Sequence, residues 1–228
     1  MINASCFTRC HNAIAERDHD IVRFIQDVLE DIQAQNPTLK ALEHLDVAGA
    51  IKTAEHLNTL SQSHRASLPL AGIPFAVKDI IDVEGMPTKF GCSAPIGYTA
   101  TTEAQIIKLI RAQGAIVLGK SVTTELAFLE PSATLNPCGH DFTPGGSSSG
   151  SAALVAANLL PLSIGTQTGG SIIRPAAFCG IFAIKPTFGL IDRFGVLNQS
   201  PSLDTVGFMA NNLSDLSQIM QLCTAARA

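Results

Sequence analysis

Residues 143–186 read TPGGSSSGSAALVAANLLPLSIGTQTGGSIIRPAAFCGIFAIKP, and this stretch decides the fold class. A loop of Gly and Ser opens it. Ala152 to Ala157 then reads as a helix, Leu162 to Gly165 as a short strand, Ser171 to Phe178 as a short helix and Ile181 to Ile184 as a strand. Apolar runs of strand length that alternate with short helices imply an α/β fold, a sheet covered by helices on both faces. The Gly145–Ser151 loop feeds directly into an Ala-rich helix, so several backbone N–H groups end at a helix N-terminus. Such a loop also fits a flexible linker, although no polar spacer separates it from its neighbours. Thr168-Gly169-Gly170-Ser171 sets a serine on a strand-to-helix turn behind two glycines. Without Cβ atoms, neighbouring N–H groups can converge where a tetrahedral oxyanion would form. The same four residues would equally make a plain Gly-Gly turn with Ser as the helix cap.

Working outward, Ile73 to Val77 and Ala115 to Leu118 read as further buried strands. A helix is expected from Thr102, as its cap, through Ile110 to Gly114. Closer to the N-terminus, Ile21, Phe24, Ile25, Val28, Leu29 and Ile32 keep a helical period that should stop before Asn36-Pro37. A second helix is expected from the cap Asp46 to about His64. Residues 1–18 read as a tail and residues 19–228 as one domain. A last helix follows about Asn212, carrying Leu216, Ile219, Met220 and Cys223.

The 228 residues are 46% hydrophobic and 15% charged, which fits a packed core and not a disordered chain. A formal charge of −4, with no basic run, gives no reason to expect nucleic acid as a direct partner. The six cysteines form no C-x-x-C pair and no disulfide framework, so a reducing, cytoplasmic setting is expected. Cys6, Cys10 and His11 lie close together without a second ligand cluster, and no metal is expected there. No apolar run reaches membrane-spanning length. Gly114-Ala115-Ile116-Val117-Leu118-Gly119-Lys120-Ser121 satisfies the P-loop pattern, but its four middle residues should be the strand itself and not a phosphate-wrapping loop. ATP is therefore not expected, nor any other cofactor.

A hydroxyl nucleophile needs a base. Of the histidines only His140 lies near the Gly/Ser loop. A buried lysine is the other option, because desolvation brings its pKa toward neutrality. Lys78 ends the apolar strand Ile73–Val77, and Lys185 ends Ile181–Ile184. Strand logic alone leaves both open.

Taken together, Gly72-Ile73-Pro74-Phe75-Ala76-Val77-Lys78-Asp79, the Gly145–Ser151 loop and Thr168-Gly169-Gly170-Ser171 resemble the amidase signature enzymes in order and spacing. The resemblance extends to Ala176–Gly180, Lys185-Pro186-Thr187 and Pro201–Gly207, and covers about residues 20–228. It implies the amidase-signature fold, with Ser171 as nucleophile, Lys78 as base and Ser147 as the proton shuttle between them. It also implies a cis Gly146–Ser147 peptide and an oxyanion hole from the N–H groups of Thr168, Gly169 and Gly170. The implied activity is hydrolysis of a carboxamide C–N bond through a Ser acyl-enzyme, with a small-molecule amide as substrate. Gln167 stands where many members have Asp, and Ile173 where many have Arg, with Arg174 one residue later. This is similar to the Gly-Thr-Gln-Thr subgroup, and Arg174 becomes a candidate contact for a substrate anion. Two alternatives stand beside the amidase: an A-type subunit of a tRNA-dependent amidotransferase, and a catalytically incomplete fragment or binding scaffold. Members of the family continue well past the last helix here. The chain is therefore expected to be incomplete at its C-terminus and poorly active alone, with an open edge that invites aggregation or pairing with another chain, a homo-oligomer included.

Overall fold

In the computed structural model, residues 5–225 are described. The chain opens with α1 (Cys6–Ala15), α2 (Ile21–Leu39), β1 (Leu42–Leu45), α3 (Val47–Thr59) and α4 (Gln62–Ala66). The middle holds β2 (Pro74–Lys78), β3 (Pro87–Thr88), β4 (Tyr98–Thr99), α5 (Gln105–Arg111) and β5 (Ile116–Ser121). It closes with α6 (Ser149–Ala156), β6 (Leu162–Gln167), α7 (Ile173–Phe178), β7 (Phe182–Ile184), β8 (Thr205–Ala210) and α8 (Leu213–Ala225). Six strands form one mixed sheet in the order β1-β5-β2-β6-β8-β7. Its centre is parallel, β5 and β6 both running alongside β2 in the same direction. The flanks are antiparallel: β1 against β5, β8 against β6, and β7 against β8. β3 and β4 form a separate two-stranded pair.

Helices cover both faces, as the apolar runs imply. Side chains alternate across a strand, and here the alternation sorts them into two cores. Phe75, Val77, Val117, Leu162, Ile164 and Phe208 pack with Ile107 of α5 and Ile219 of α8. Ala76, Ile116 and Leu118 point the other way, onto Ile25 and Ile32 of α2, Ala54 of α3 and Leu154 of α6. Strands buried on both faces explain why they read as unbroken apolar runs.

Several elements differ from expectation. Residues 6–15 of the expected tail form α1, capped by Ser5 and anchored by Phe7, which is 1% exposed. Asp215 of α8 reinforces that start, accepting from the Ser5 hydroxyl and from Cys6 N (2.8 Å). The first four residues of the expected tail lie outside the described residues. α2 runs through Pro37 to Leu39. Pro37 sits in the last turn, where its missing N–H removes only one bond and leaves the preceding turns intact. Asn36 then takes over the stop, its side-chain oxygen accepting from Ala41 N and Leu42 N, both at 2.9 Å. The expected 46–64 helix is two, because Leu60 is extended and Ser61 caps α4 afresh. α5 begins after Ala104, with no side-chain cap from Thr102.

The parallel centre puts the C-terminal ends of β2, β5 and β6 on one edge of the sheet. The antiparallel β8 starts at that same edge. This is where open α/β sheets collect ligands and catalytic groups.

Candidate active site

Three segments meet at that edge: the end of β2, the Gly/Ser loop and the Thr168–Ser171 turn. β2 ends in Lys78, which is fully buried. Its Nζ donates to Ser147 Oγ at 2.6 Å and to Thr166 Oγ1 at 3.0 Å. Burial drives the Lys78 pKa down to about 7, and the negative charge of Asp204 pulls it the other way. The lysine is therefore poised to lose its proton near neutral pH, and once neutral it can accept the Ser147 proton across the same short contact.

Of the serines in the Gly/Ser loop, Ser147 is the one whose hydroxyl meets a lysine. Ser148 Oγ bonds Thr166 O at 3.3 Å, Ser149 Oγ pairs with Ser132 Oγ at 2.7 Å, and Ser151 Oγ pairs with Ser121 Oγ at 2.7 Å. The Ser148 and Ser151 bonds stitch the start of α6 onto β6 and β5, and the Ser149 bond ties it to the loop at Ser132. The Gly146–Ser147 peptide is cis, as the resemblance implies. Thr124 N holds the carbonyl of Ser147 at 3.1 Å.

Ser171 lies on the turn between β6 and α7, 9% exposed, with its carbonyl accepting from Ser148 N at 3.3 Å. The Gly/Ser loop and the Thr168–Ser171 turn are thus neighbours. Gly169 is exposed, and a Cβ there would meet nothing within 4 Å. The turn faces open space, which leaves room for a substrate. The Gln167 side chain starts α7: its oxygen accepts from Ile172 N at 2.9 Å and Ile173 N at 3.0 Å. A neutral amide oxygen is sufficient for this, and Ile173 is 45% exposed, so no buried partner charge is left behind.

Arg174 uses two of its N–H groups on the loop: Nε and Nη2 donate to Gly146 O at 2.9 and 2.7 Å. The alternative bases lie elsewhere. Lys185 bonds its neighbour Pro186 O at 2.6 Å, and His140 is exposed. In the P-loop look-alike, Ile116 to Ser121 form β5, and Lys120 is a buried residue of that strand. Its Nζ lies 3.1 Å from Asp79 Oδ1 and bonds Thr88 Oγ1 at 2.9 Å.

Sequence reasoning missed Asp204 and Gln199 as site residues. Asp204 is 5% exposed and accepts from Thr168 Oγ1 at 2.5 Å, Gln199 N at 2.7 Å and Ser200 N at 2.8 Å. The Gln199 amide bridges to the carbonyl of Leu126. Asp204 lies in the Pro201–Gly207 stretch of the resemblance with no role attached to it, and a lone Asp in a loop carries no periodic signal; the folded contacts bring it to the site. Among the described residues no helix is long and apolar enough to cross a membrane.

The Amidase family profile matches residues 23–227. The A-type subunit of the glutamyl-tRNA(Gln) amidotransferase of Chloroflexus aurantiacus is 39% identical over 94% of this chain and 45% of its own length. Its counterpart from Staphylococcus aureus is 36% identical over 89% of this chain and 43% of its own. Among solved structures, an amidase family protein from Bacillus anthracis superposes with a TM-score of 0.88 at 30% identity, covering 99% of this chain and 49% of that one. The peptide amidase PAM bound to chymostatin gives 0.84 at 34%, covering 94% and 48%. The chain thus spans about half the length of the relatives it matches. The profile runs through Lys78, the Gly/Ser loop and the Thr168–Ser171 turn alike, and the chain belongs to the Amidase (amidase signature) family.

Proposed function

We propose that this chain carries the catalytic set of an amidase that cleaves a carboxamide C–N bond through an acyl-enzyme on Ser171. The observation that carries this reading is a fully buried lysine, Lys78, 2.6 Å from the hydroxyl of Ser147. In the proposed sequence, neutral Lys78 takes a proton from Ser147 as Ser147 takes one from Ser171, and Ser171 Oγ attacks the amide carbon. The N–H groups of Thr168, Gly169 and Gly170 receive the oxyanion. Ser147 returns a proton to the leaving nitrogen, ammonia or an amine departs, and water releases the acid by the same relay.

The amide-cleaving component of a tRNA-dependent amidotransferase is the second reading. It is favoured by the 39% and 36% identities to proteins of that name. In that case glutamine would be the amide and partner proteins would take up the ammonia. A sulfonyl fluoride probe followed by a mass-mapped digest tests the common core: the label is expected on Ser171, and labelling of Ser148 or Ser151 instead overturns the assignment. Ammonia release from a panel of aliphatic, aromatic and carboxylated amides, glutamine included, then separates the two.

Arg174 is proposed to offer its remaining N–H groups to a substrate carboxylate. An amide acid is expected to show a higher kcat/KM than its neutral isostere. Equal values would assign Arg174 to the Gly146 carbonyl alone.

A further inference from the structure

Asp204 ties together three parts of the site that the sequence keeps apart. Thr168 Oγ1 lies 2.5 Å from Asp204 Oδ1 and 3.0 Å from Gln199 Oε1. A threonine hydroxyl has one hydrogen, and it goes to the shorter contact and the charged acceptor. The other carboxylate oxygen accepts from Gln199 N and Ser200 N, which fixes the loop before β8. Through the Gln199 side chain that loop reaches the carbonyl of Leu126, in the turn whose Thr124 N holds Ser147 O.

We propose that Asp204 is a positioning residue of this site: it holds the Thr168–Gly170 turn through the Thr168 hydroxyl. The inference rests on the catalytic reading above and deepens it. Three backbone N–H groups form an oxyanion hole only if their turn is held in place before substrate arrives. Gly169 and Gly170 cannot hold it, having no side chains, and the Thr168 side chain is the handle next to them.

Three variants test the hold. Thr168→Val removes the hydroxyl, Asp204→Asn weakens its acceptor, and Thr168→Ser keeps the hydroxyl on a smaller side chain. The readout is the rate at which a sulfonyl fluoride labels Ser171 across pH. Thr168→Val and Asp204→Asn should each cut the plateau labelling rate by about tenfold or more, a part of what losing one oxyanion donor costs. Thr168→Ser should label like the parent. A Thr168→Val protein that labels like the parent, or a Thr168→Ser protein that loses as much rate as Thr168→Val, overturns the proposal. If Asp204→Asn does not fold, the two Thr168 variants decide. If the parent itself never labels at Ser171, the catalytic reading fails and the proposal falls with it.

Discussion

A lysine side chain with no exposure is a thermodynamic burden that a purely structural position rarely carries, and Lys78 carries it with two hydroxyl partners. Its folded pKa of about 7 lies below the free value of about 10.4. Between those two pH values the unfolded chain binds more protons, so stability rises with pH across that window. Below about 7 the cost is present in full. Lys78→Met should therefore melt at a higher temperature than the parent at pH 6, with the gap narrowing by pH 9, and an unchanged gap would speak against a buried, titrating lysine. Activity should move the same way: it should rise with pH through about 7, because only neutral Lys78 accepts a proton. Lys78→Ala should lose about 10²–10⁴-fold in kcat, while Lys185→Ala stays near the parent. The sequence left these two lysines level because each ends an apolar strand. Their partners separate them: Ser147 in one case, the adjacent Pro186 carbonyl in the other. Lys120 is a second fully buried lysine, inside β5, and Asp79 Oδ1 has no hydrogen bond to compensate it beyond the ion pair with that lysine. Lys120→Met should destabilise by about 3–5 kcal/mol, the cost of leaving a buried charge alone, read from a shifted denaturation midpoint.

At the scale of elements, α7 shows how a short helix is placed. It has six residues and an N-cap, Ile172, without a capping side chain of its own. Gln167, at the end of β6, reaches across the Thr168–Ser171 turn and receives the Ile172 and Ile173 N–H groups instead. One side chain thus fixes both ends of the turn that carries Ser171. Gln167→Leu should cost about 1–3 kcal/mol, since it strands N–H groups that are partly or wholly buried. Urea denaturation should show a lower midpoint with an unchanged m-value, and an unmoved midpoint would remove this role. Strands buried on both faces were legible because their apolar runs are continuous. Helix limits were less so: Pro37 was tolerated in a last turn, and Leu60 broke a helix that no Gly or Pro announced. β1 and β8 escaped the sequence reading for different reasons. Leu42-Glu43-His44-Leu45 is short and half polar, and its strand character comes from pairing with β5. Thr205–Ala210 carries Gly207, a residue that weakens strand propensity. Here the glycine admits the neighbouring strand, because a Cβ would lie 2.2 Å from Ile184 O.

Across the whole molecule, the three site segments lie far apart in sequence and meet because β2 and β6 are parallel neighbours. That adjacency is a property of the sheet, and no local pattern reports it; the family resemblance did. The same sheet exposes its limits. β7 is three residues long and ends the sheet order, and it carries Phe182, 47% exposed, with Phe178 at the end of the preceding α7, 49% exposed. An edge strand with exposed aromatic side chains is a surface that water tolerates poorly and that another chain can cover. The chain is therefore expected to self-associate through that edge. Size-exclusion chromatography with light scattering measures this. Phe182→Lys together with Phe178→Lys should shift the population toward monomer by placing charge on the edge. An unaltered chain that stays monomeric as its concentration is raised would show that the exposed aromatic edge needs no cover.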